Sequence, residues 1–579
     1  MTESPTLDAE QTAAASRAPE SRQIVLAPPG SGKTEVVAAL LEHLVDEGLD
    51  SFGDLLAISF SRAAVGALER RIGRERGTRA AIRTLDSLAS RILDEGDDPE
   101  WRTLSFDDRI ARAVALVEAG SDFAELTDVR HLIVDEVQDL VGVRARLVLA
   151  FLANLPSDVG FTLLGDPHQG VYDFQLEGQD DMTSKQFLDH VRQLGALKEV
   201  RLSGQYRARS QETRAAAATL QHVEMGAERI RTLRSFVCDI FLAGDIAELA
   251  RPAKRWTGTT AFLCRTNGQA MVVAEQLRAS GLAVTTRGPA DALPLASWIA
   301  ETFSGLSSRV LAKDDALALL ADGAPPMSAT SAWRLLKDAE RDFRSPDRLD
   351  LRRLGGGLAR GLGSADLYAG PGTDAIVSTI HRAKGLEFDN VVLVNPSDLL
   401  TGTATDEDAS VAYVAITRGR DVLMAARCTA PDFLRVDKRS GRWFIGGYKP
   451  WMTRGFELRG TDSRTPAIAA FDEPATQYVG RAVVGRVDMS ESTLDVPVYS
   501  LFCGNTLVAT TTEDFGRILA TRLGGASRTG KPWPSLTGLA VESVETLVPM
   551  SAVDSTPTFQ LGLRVAGLAM LHWGDEESR

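Results

Sequence analysis

A glycine-rich loop lies near the start of the chain, between an apolar run and a run typical of a helix. It reads Ala27-Pro28-Pro29-Gly30-Ser31-Gly32-Lys33-Thr34 and follows the apolar residues Ile24-Val25-Leu26. Glycines in such a loop let backbone N–H groups approach a polyphosphate, while the lysine reaches the terminal phosphates and the hydroxyl binds Mg²⁺. Because a strand, a loop and a helix in this order are the context the motif requires, the loop predicts a nucleoside triphosphate site.

Two later apolar runs also end in polar residues. Asp135 and Glu136 follow residues 131–134, and Gln169 comes shortly after residues 161–164. The carboxyl ends of strands are where α/β sheets bind ligands. We expect Asp135 to hold Mg²⁺, Glu136 to polarise the attacking water and Gln169 to sense the terminal phosphate.

Length and composition indicate a soluble protein of three or four domains. The chain has 579 residues, of which 44% are hydrophobic and 25% charged, as in ordinary globular proteins. Residues 1–22 are polar and acidic, and no apolar run is long enough to span a membrane. The four cysteines are scattered without C-x-x-C spacing, which argues against a zinc or iron–sulfur module. We therefore expect a cytoplasmic protein without membrane contact.

The net charge of −14 does not exclude nucleic acid as a partner, because binding depends on where charge is concentrated. Three stretches are locally basic: Arg62–Arg83, Arg334–Arg360 and Arg435–Arg459. Each one is also compatible with a solvated helix face.

Further motifs follow the phosphate loop in a fixed order. They are Leu7-Asp8-Ala9-Glu10-Gln11 before the loop, and Leu202–Arg207, Ala261–Asn267, Ser378–Phe388 and Val411–Arg418 after it. With these motifs the chain resembles superfamily 1 DNA helicases of the UvrD/Rep type from Leu7 to Arg420.

This resemblance implies an α/β fold with two RecA-like parallel-sheet motor domains and small helical insertions. The alternation of β-branched residues after residue 429 adds a β-rich C-terminal domain. The expected domains are a first RecA-like ATP-binding domain (1–88 and 130–200) with a helical insertion (89–129), a second RecA-like domain (201–288 and 372–428) with a helical insertion (289–371), and a β-rich accessory domain (429–579).

The resemblance also assigns roles around the nucleotide, with ATP and Mg²⁺ as cofactors. The expected catalytic residues are Lys33, Asp135, Glu136, Gln169, Arg207 and Arg418, of which the two arginines would act as arginine fingers from the second RecA-like domain. The expected ATP-binding residues are Gln11 at the adenine, Glu387 at the sugar, and Pro29, Gly30, Ser31, Gly32, Lys33 and Thr34 at the phosphates. Thr34 and Asp135 would bind the metal.

The residues expected at single-stranded DNA are Phe60, Arg62, Thr84, Tyr172, Phe174 and His381. Aromatic side chains stack on bases of any sequence, although the same aromatics are also compatible with a packed core. The chain departs from the family at Arg62-Ala63, at Asp86 and at Gln175-Leu176-Glu177. All three departures fall on the DNA side, so ATP hydrolysis is better supported than the details of strand binding.

The C-terminal region, residues 429–579, lies outside the resemblance. Residues 442–451 alternate aromatic and basic side chains, which fits a nucleic-acid surface. The pattern fits a turn-rich packing segment better. No spaced carboxylate–lysine set indicates a nuclease, and we expect the domain to dock a protein partner or duplex DNA.

The sequence as a whole predicts an ATP-dependent helicase that translocates 3′ to 5′ on single-stranded DNA and acts at junctions of single and double strands. The polarity follows from the resemblance alone. The alternative is a DNA-sensing regulatory ATPase in a DNA repair or anti-phage complex that does not unwind processively.

Overall fold

The computed structural model describes most of the chain, and the statements below concern the residues it describes. These are residues 6–50, 53–59, 81–95, 101, 104–120, 123, 128–176, 181–195, 197–220, 223, 226–287, 294–306, 308–323, 325–342, 344–359, 367–368, 373–465, 473–524, 532–548 and 559–573.

Helices occur in every part of this chain. They are α1 (Ala9–Ala15), α2 (Lys33–Asp46), α3 (Leu85–Glu95), α4 (Phe106–Glu118), α5 (Gly142–Asn154), α6 (Ser184–Gln193), α7 (Gln211–Ala218), α8 (Ala227–Asp239), α9 (Ile246–Ala253), α10 (Asn267–Ala279), α11 (Ser297–Phe303), α12 (Lys313–Asp322), α13 (Ala329–Glu340), α14 (Leu351–Ala359), α15 (Ile380–Ala383), α16 (Asp406–Ile416) and α17 (Glu513–Arg522).

The described strands form three large sheets and one short two-stranded sheet. They are β1 (Arg22–Leu26), β2 (Leu55–Ser59), β3 (Ala81–Thr84), β4 (His131–Val134), β5 (Gly160–Gly165), β6 (Leu197–Arg201), β7 (Leu242–Asp245), β8 (Thr260–Cys264), β9 (Thr285–Thr286), β10 (Val310–Ala312), β11 (Arg348–Asp350), β12 (Ala375–Thr379), β13 (Phe388–Val394), β14 (Gly419–Arg427), β15 (Leu434–Asp437), β16 (Arg442–Gly446), β17 (Thr453–Leu458), β18 (Ser463–Arg464), β19 (Ala482–Val487), β20 (Tyr499–Cys503), β21 (Thr506–Thr511), β22 (Ser535–Leu547) and β23 (Gln560–His572).

The first of two compact units comprises residues 1–240, 384–387 and 396–423. Its sheet has six parallel strands in the order β3-β2-β4-β5-β1-β6. Every residue of β2, β4 and β5 is buried, as expected for strands covered by helices on both faces. The loops that follow β1, β4 and β5 leave the same edge of the sheet, and they carry the predicted nucleotide residues.

The second unit comprises residues 241–383, 388–395 and 424–579. Its first sheet has the order β7-β14-β13-β8-β12-β9, and the pairs β7–β14, β13–β8, β8–β12 and β12–β9 are parallel. Helices α11 to α14 and the antiparallel pair β10–β11 form a separate apolar cluster around Trp298, Trp333 and Leu336. Two parallel sheets with helical insertions are therefore confirmed.

The C-terminal region forms a nine-stranded sheet in the order β15-β16-β17-β23-β22-β19-β20-β21-β18. Its strand pairs are antiparallel, which confirms the predicted β-rich region. Helix α17 packs on this sheet through Phe515 and Leu519.

This C-terminal sheet shares a core with the parallel sheet of the same unit. Ile445 and Leu568 belong to the apolar cluster built around β8 and α10. The carboxylate of Glu542 on β22 lies 2.8 Å from Arg278 Nη2 on α10 and accepts a hydrogen bond of 2.5 Å from the Thr286 N–H. The second parallel sheet and the C-terminal sheet are therefore one packed body.

The exact domain boundaries predicted from the sequence stay predictions. Among the helices described, none is long and apolar enough to cross a membrane.

Replacing Glu542 with Gln should destabilise the second unit, because both members of the Arg278–Glu542 pair are largely buried. Removing one partner leaves an uncompensated charge, which costs about 3 kcal/mol. The measurement is the urea unfolding curve. The control is Glu473→Gln, which breaks an exposed pair with Arg481 and should leave the unfolding midpoint unchanged. Equal midpoints for both variants would show that the buried pair does not hold the sheets together.

Candidate active site

The phosphate loop connects the end of β1 to the start of α2 at Lys33. Gly30 and Gly32 have φ angles of 81° and 79°, a region that glycine adopts without steric cost. A Cβ atom at Gly30 would lie 2.0 Å from Gln205 Oε1, and one at Gly32 would lie 2.3 Å from Gln11 Nε2. Both positions therefore need glycine for the backbone angle and for the close neighbours.

Three hydrogen bonds fix the carbonyl side of this loop. Gln11 Nε2 donates to the Ser31 carbonyl oxygen at 2.8 Å, and Gln205 Nε2 donates to the Pro29 carbonyl oxygen at 2.8 Å. The Tyr206 N–H donates to the Gly30 carbonyl oxygen at 2.8 Å. These bonds hold the backbone of the loop from its carbonyl oxygens, the groups that do not bind phosphate. The amide of Gln11 supports the loop here, and its contact with adenine stays a prediction.

The two carboxylates after β4 meet the lysine of the loop. Lys33 Nζ lies 3.0 Å from Asp135 Oδ1 and 2.5 Å from Glu136 Oε1. Glu136 has a φ angle of 58°, a conformation that non-glycine residues adopt at a cost and mostly at functional sites. Gln138 Nε2 donates to Glu136 Oε2 at 2.5 Å. The Glu136 carboxylate is thus held by two neighbours in a strained backbone position.

Burial and charge shift the pKa values of these groups in different directions. Burial opposes ionisation of Glu136, but the charges of Lys33 and Lys384 outweigh it and lower its pKa to about 2. Burial raises the pKa of Asp135, with Lys33 opposing and Glu136 adding to the shift. The two carboxylates together outweigh the burial of Lys33 and raise the pKa of its ammonium group. Lys33 and Glu136 are therefore charged at neutral pH.

Arg418 contacts Gln169 directly. Arg418 Nη2 donates to Gln169 Oε1 at 2.8 Å, and its other nitrogens donate to the carbonyl oxygens of Val414 at 3.0 Å and Leu386 at 3.3 Å. Burial lowers the pKa of Arg418 to about 10, and the charge of Arg207 adds to this shift. The guanidinium still remains charged at neutral pH, in an orientation set by three acceptors.

Arg207 shares a carboxylate with a second arginine. Its Nη2 atom lies 2.5 Å from Glu387 Oε1, and Arg420 Nη2 lies 2.7 Å from Glu387 Oε2. Burial of Glu387 is outweighed by the charge of Arg207, so the pKa of this carboxyl is lowered. Glu387 therefore positions two arginines, and its contact with the nucleotide sugar stays a prediction.

The donors at this site fit a triphosphate. Ser31 Oγ and Arg207 Nη1 are buried atoms without a hydrogen-bond partner in the described part of the chain, and phosphate oxygens accept hydrogen bonds from such groups. The hydroxyl of Thr34 is exposed, and with Asp135 it offers the hard oxygen ligands that Mg²⁺ prefers. The residues present are therefore suited to ATP and Mg²⁺.

The contacts group Arg207 and Arg418 with the phosphate loop. Residues 384–387 and 396–423 belong to the first compact unit. The contacts of Arg418 with Gln169 and of Arg207 with Glu387 lie within that unit. The sequence predicts both arginines in the second RecA-like domain. Their contacts lie within the first unit, and the predicted finger role does not depend on that domain assignment.

The predicted DNA residues are described only in part. Phe60, Arg62 and the side chain of Phe174 lie outside the described residues. Thr84 ends β3, and its hydroxyl accepts a hydrogen bond of 3.2 Å from the Ser87 N–H. The ring of Tyr172 is half-buried, with Lys384 Nζ 5.3 Å from its centroid.

His381 lies in the second unit and lines a hollow of about 310 Å³. The hollow is rich in polar and basic groups: its lining residues are Arg265, Thr266, Asn267, Thr379, His381, Arg382 and Trp443. Arginine, histidine and threonine side chains are typical donors to phosphate oxygens. Trp443 comes from the C-terminal region, so that region contributes to the surface around His381.

Sequence reasoning does not place Asp139 and Lys384 in the site. Lys384 Nζ donates to the Asp139 carboxylate and to the Gln169 carbonyl oxygen. Burial raises the pKa of Asp139, although the charge of Lys384 opposes the shift. The pair fixes the turn that carries Gln169. The signal in the sequence is weak: Asp139 stands three residues after Glu136.

Arg229 is a second residue that the sequence does not reveal. Its side chain is fully buried in α8. It donates to the His168 carbonyl oxygen at 2.7 Å, to Ser410 Oγ at 2.8 Å and to the Asp406 carbonyl oxygen at 3.1 Å. It therefore joins the turn of Gln169 to helix α16, whose end carries Arg418. An arginine in an ordinary amphipathic helix gives no sign of such a role.

Two sequence families match this chain. Residues 10–175 match the AAA domain family, and residues 371–429 match the UvrD-like helicase C-terminal domain. The first match covers the phosphate loop, Asp135, Glu136 and Gln169, and the second covers His381, Glu387 and Arg418.

The proteins called ATP-dependent DNA helicase UvrD2 from Mycobacterium bovis and Mycobacterium tuberculosis are 26% identical over 471 residues. The match covers 70% of this chain and 66% of each relative, so the chain spans just under two thirds of their length. A putative ATP-dependent DNA helicase R568 from Acanthamoeba polyphaga mimivirus is 27% identical over 162 residues, which are 26% of this chain and 23% of the relative.

Among solved structures, the Pif1 helicase from Bacteroides in complex with ADP-AlF3 and ssDNA has a TM-score of 0.36 at 12% identity, over 74% of this chain and 93% of that one. The Pif1 helicase from Candida albicans has a TM-score of 0.35 at 13% identity, over 72% and 94%. Both scores are low, and the fold class rests on the strand order itself. The family matches and the mycobacterial relatives confirm the relationship predicted from the sequence, that of a superfamily 1 helicase of the UvrD/Rep type.

Proposed function

We propose that this protein is an ATP-dependent DNA helicase that translocates 3′ to 5′ on single-stranded DNA and acts at junctions of single and double strands. The observation that carries the proposal is the convergence of Lys33, Glu136 and Gln169 with Arg207 and Arg418 around one phosphate loop. The polarity rests on the family resemblance.

ATP with Mg²⁺ would supply a phosphoanhydride bond whose cleavage releases the free energy for movement. Lys33 and the loop N–H groups would bind the phosphates. The Glu136 carboxylate, which Gln138 holds in place, would orient and polarise the attacking water by accepting a hydrogen bond from it. Arg207 and Arg418 would stabilise the negative charge that develops, because each is a planar cation. Several acceptors hold Arg418, and the Glu387 carboxylate holds Arg207 while its Nη1 atom is left for a phosphate oxygen.

Two features support single-stranded DNA as the partner. The hollow around His381 brings Arg265 and Arg382 close to Trp443, and a combination of cations with an aromatic ring suits a nucleotide strand. The mycobacterial relatives are called DNA helicases. A protein partner of the C-terminal region remains part of the proposal.

A regulatory ATPase that senses DNA without processive unwinding is the second candidate, and Asp86 favours it. Asp86 Oδ1 lies 3.9 Å from Arg144 Nη2, and the other terminal nitrogen of Arg144 lies 2.9 Å from Asp107 Oδ1. At the position of Asp86 the family carries a histidine that contacts the DNA strand. This chain has a carboxylate there, and the carboxylate of Asp107 lies on the same arginine. Carboxylates repel phosphate groups, so strand contact is weakened here.

The proposed function predicts that single-stranded DNA stimulates ATP turnover and that the protein displaces a strand from a 3′-tailed duplex but not from a 5′-tailed one. The measurement is turnover with and without DNA, together with strand displacement on both duplexes. Lys33→Ala is the control and should abolish both signals. Stimulated turnover without displacement of either duplex would favour the regulatory ATPase. Turnover that is indifferent to DNA would contradict both candidates.

The contacts of Arg229 predict a positioning role. Arg229→Met should lower kcat for ATP at least tenfold, or about 1.4 kcal/mol, with little change in KM, because the Gln169 turn would lose its link to α16. Arg229→Lys should restore part of the rate, since an ammonium can reach one of the three acceptors. The matched control is Arg231→Met on the exposed face of the same helix, which should behave like the unmodified protein. A rise in KM with kcat preserved would refute the positioning role.

A further inference from the structure

The C-terminal sheet presents a group of exposed aromatic and basic side chains. Phe433 and Arg435 lie at edge strand β15, and Tyr448, Lys449 and Trp451 lie in the loop between β16 and β17. Phe433 is 57% exposed, Tyr448 80% and Trp451 74%. Large aromatic side chains are rarely left so accessible in one place without a function. We call these five residues the aromatic–basic patch.

The patch alternates flat rings with cations. Arg435 Cζ lies 5.2 Å from the ring centroid of Phe433 and 4.5 Å from that of Tyr448. Lys449 Nζ lies 5.0 Å from the ring centroid of Trp451. Neither cation is in an ion pair with a carboxylate of the described chain. Both charges are therefore available to an external anion.

Hydrogen bonds from helix α17 hold the loop that carries Tyr448 and Trp451. Arg522 on α17 donates to the Gly447 carbonyl oxygen at 2.8 Å and to Thr453 Oγ1 at 3.0 Å. Gly446 has a φ angle of 128°, and a Cβ atom there would lie 1.9 Å from the Met452 carbonyl oxygen. The backbone of the loop is thus a close-packed turn, and Tyr448 and Trp451 project from it with most of their ring surface exposed.

Phe433 is held in a strained backbone conformation. Its φ angle is 64°, which is unfavourable for a bulky side chain and is kept mainly where surrounding structure and function require it. Its carbonyl oxygen accepts a hydrogen bond of 3.2 Å from the Gly446 N–H. The Phe433 ring lies against Arg435 and is largely exposed to solvent.

The charge around the patch is opposite to that of the whole chain. Residues 432–459 contain seven Lys or Arg and three Asp or Glu, whereas the chain carries a net charge of −14. The sequence favours a packing role for residues 442–451. Phe444 and Trp443 do pack, since Phe444 is buried and Trp443 covers Gly268. Tyr448 and Trp451 do not.

We propose that the aromatic–basic patch binds single-stranded DNA by stacking unpaired bases on Tyr448, Trp451 and Phe433 while Arg435 and Lys449 contact phosphates. Stacked bases inside a duplex do not offer their faces to such rings, so the geometry selects a single strand over a duplex. The choice of DNA as the nucleic acid rests on the proposed function. The patch would give the motor a second hold on the strand, separate from the hollow around His381.

The test is equilibrium binding of a fluorescein-labelled dT20 oligonucleotide to the full chain without nucleotide, followed by anisotropy. Tyr448→Ala and Trp451→Ala should each weaken binding at least fivefold, which is the low end of the loss of one stacked base. Arg435→Ala should also reduce the dependence of affinity on salt concentration. Irradiation of an oligonucleotide carrying 5-iododeoxyuridine should crosslink to peptides that contain Tyr448 or Trp451.

Matched controls lie outside the patch on the same unit. Phe241→Ala removes another exposed ring, and Arg486→Ala removes an exposed arginine that stacks on Phe502; both should bind dT20 like the unmodified protein. Unchanged affinity in all patch variants with crosslinks only elsewhere would overturn the proposal, as would an equal loss of affinity for blunt duplex DNA. Loss of the patch proposal would be compatible with DNA-stimulated ATP turnover, and the proposed helicase function would then stand. ATP turnover that is indifferent to DNA would refute the helicase function without bearing on whether the patch binds dT20.

Discussion

The nucleotide site depends on one half-buried arrangement of charge, the ammonium of Lys33 between the carboxylates of Asp135 and Glu136. Charges removed from water are tolerated only when they are paired and hydrogen-bonded. The parallel sheet satisfies this condition because the ends of β1 and β4 lie at one edge. The strained backbone of Glu136 follows from the same need, since it brings the second carboxylate to the lysine.

Around this cluster, buried cations connect the motifs to one another. Lys384 contacts both Asp139 and the turn that carries Gln169. Arg229 connects that turn to α16 by hydrogen bonds. Arg418, which follows the end of α16, donates a hydrogen bond to Gln169. Each cation has several acceptors, so moving one segment disturbs the others. A change at the phosphates can thus reach residues 384–387, which belong to the same unit as the phosphate loop.

The sequence predicts those features of the fold and the site that depend on residues close to one another in the chain. Residues 24–34 contain a strand, two glycines and a lysine in a pattern that specifies a phosphate loop, and alternation after residue 429 predicts a β-rich C-terminal region. That the region forms one antiparallel sheet is seen only in the structure. Contacts made only in three dimensions have no such pattern. Arg229 meets His168 across 61 residues, and Gln205 meets Pro29 across 176. The exposure of Trp451 is equally unpredictable, because alternation of aromatic and basic residues does not reveal which side faces solvent.

The proposed role of Arg418 is to complete a hydrolysis site at the phosphate loop. The most direct measurement compares ATP binding with single-turnover hydrolysis in Arg418→Ala. We expect ATP binding to be largely retained while hydrolysis falls by about a thousandfold, the contribution expected of an arginine finger. Near-normal hydrolysis in this variant would show that Arg418 is not an arginine finger.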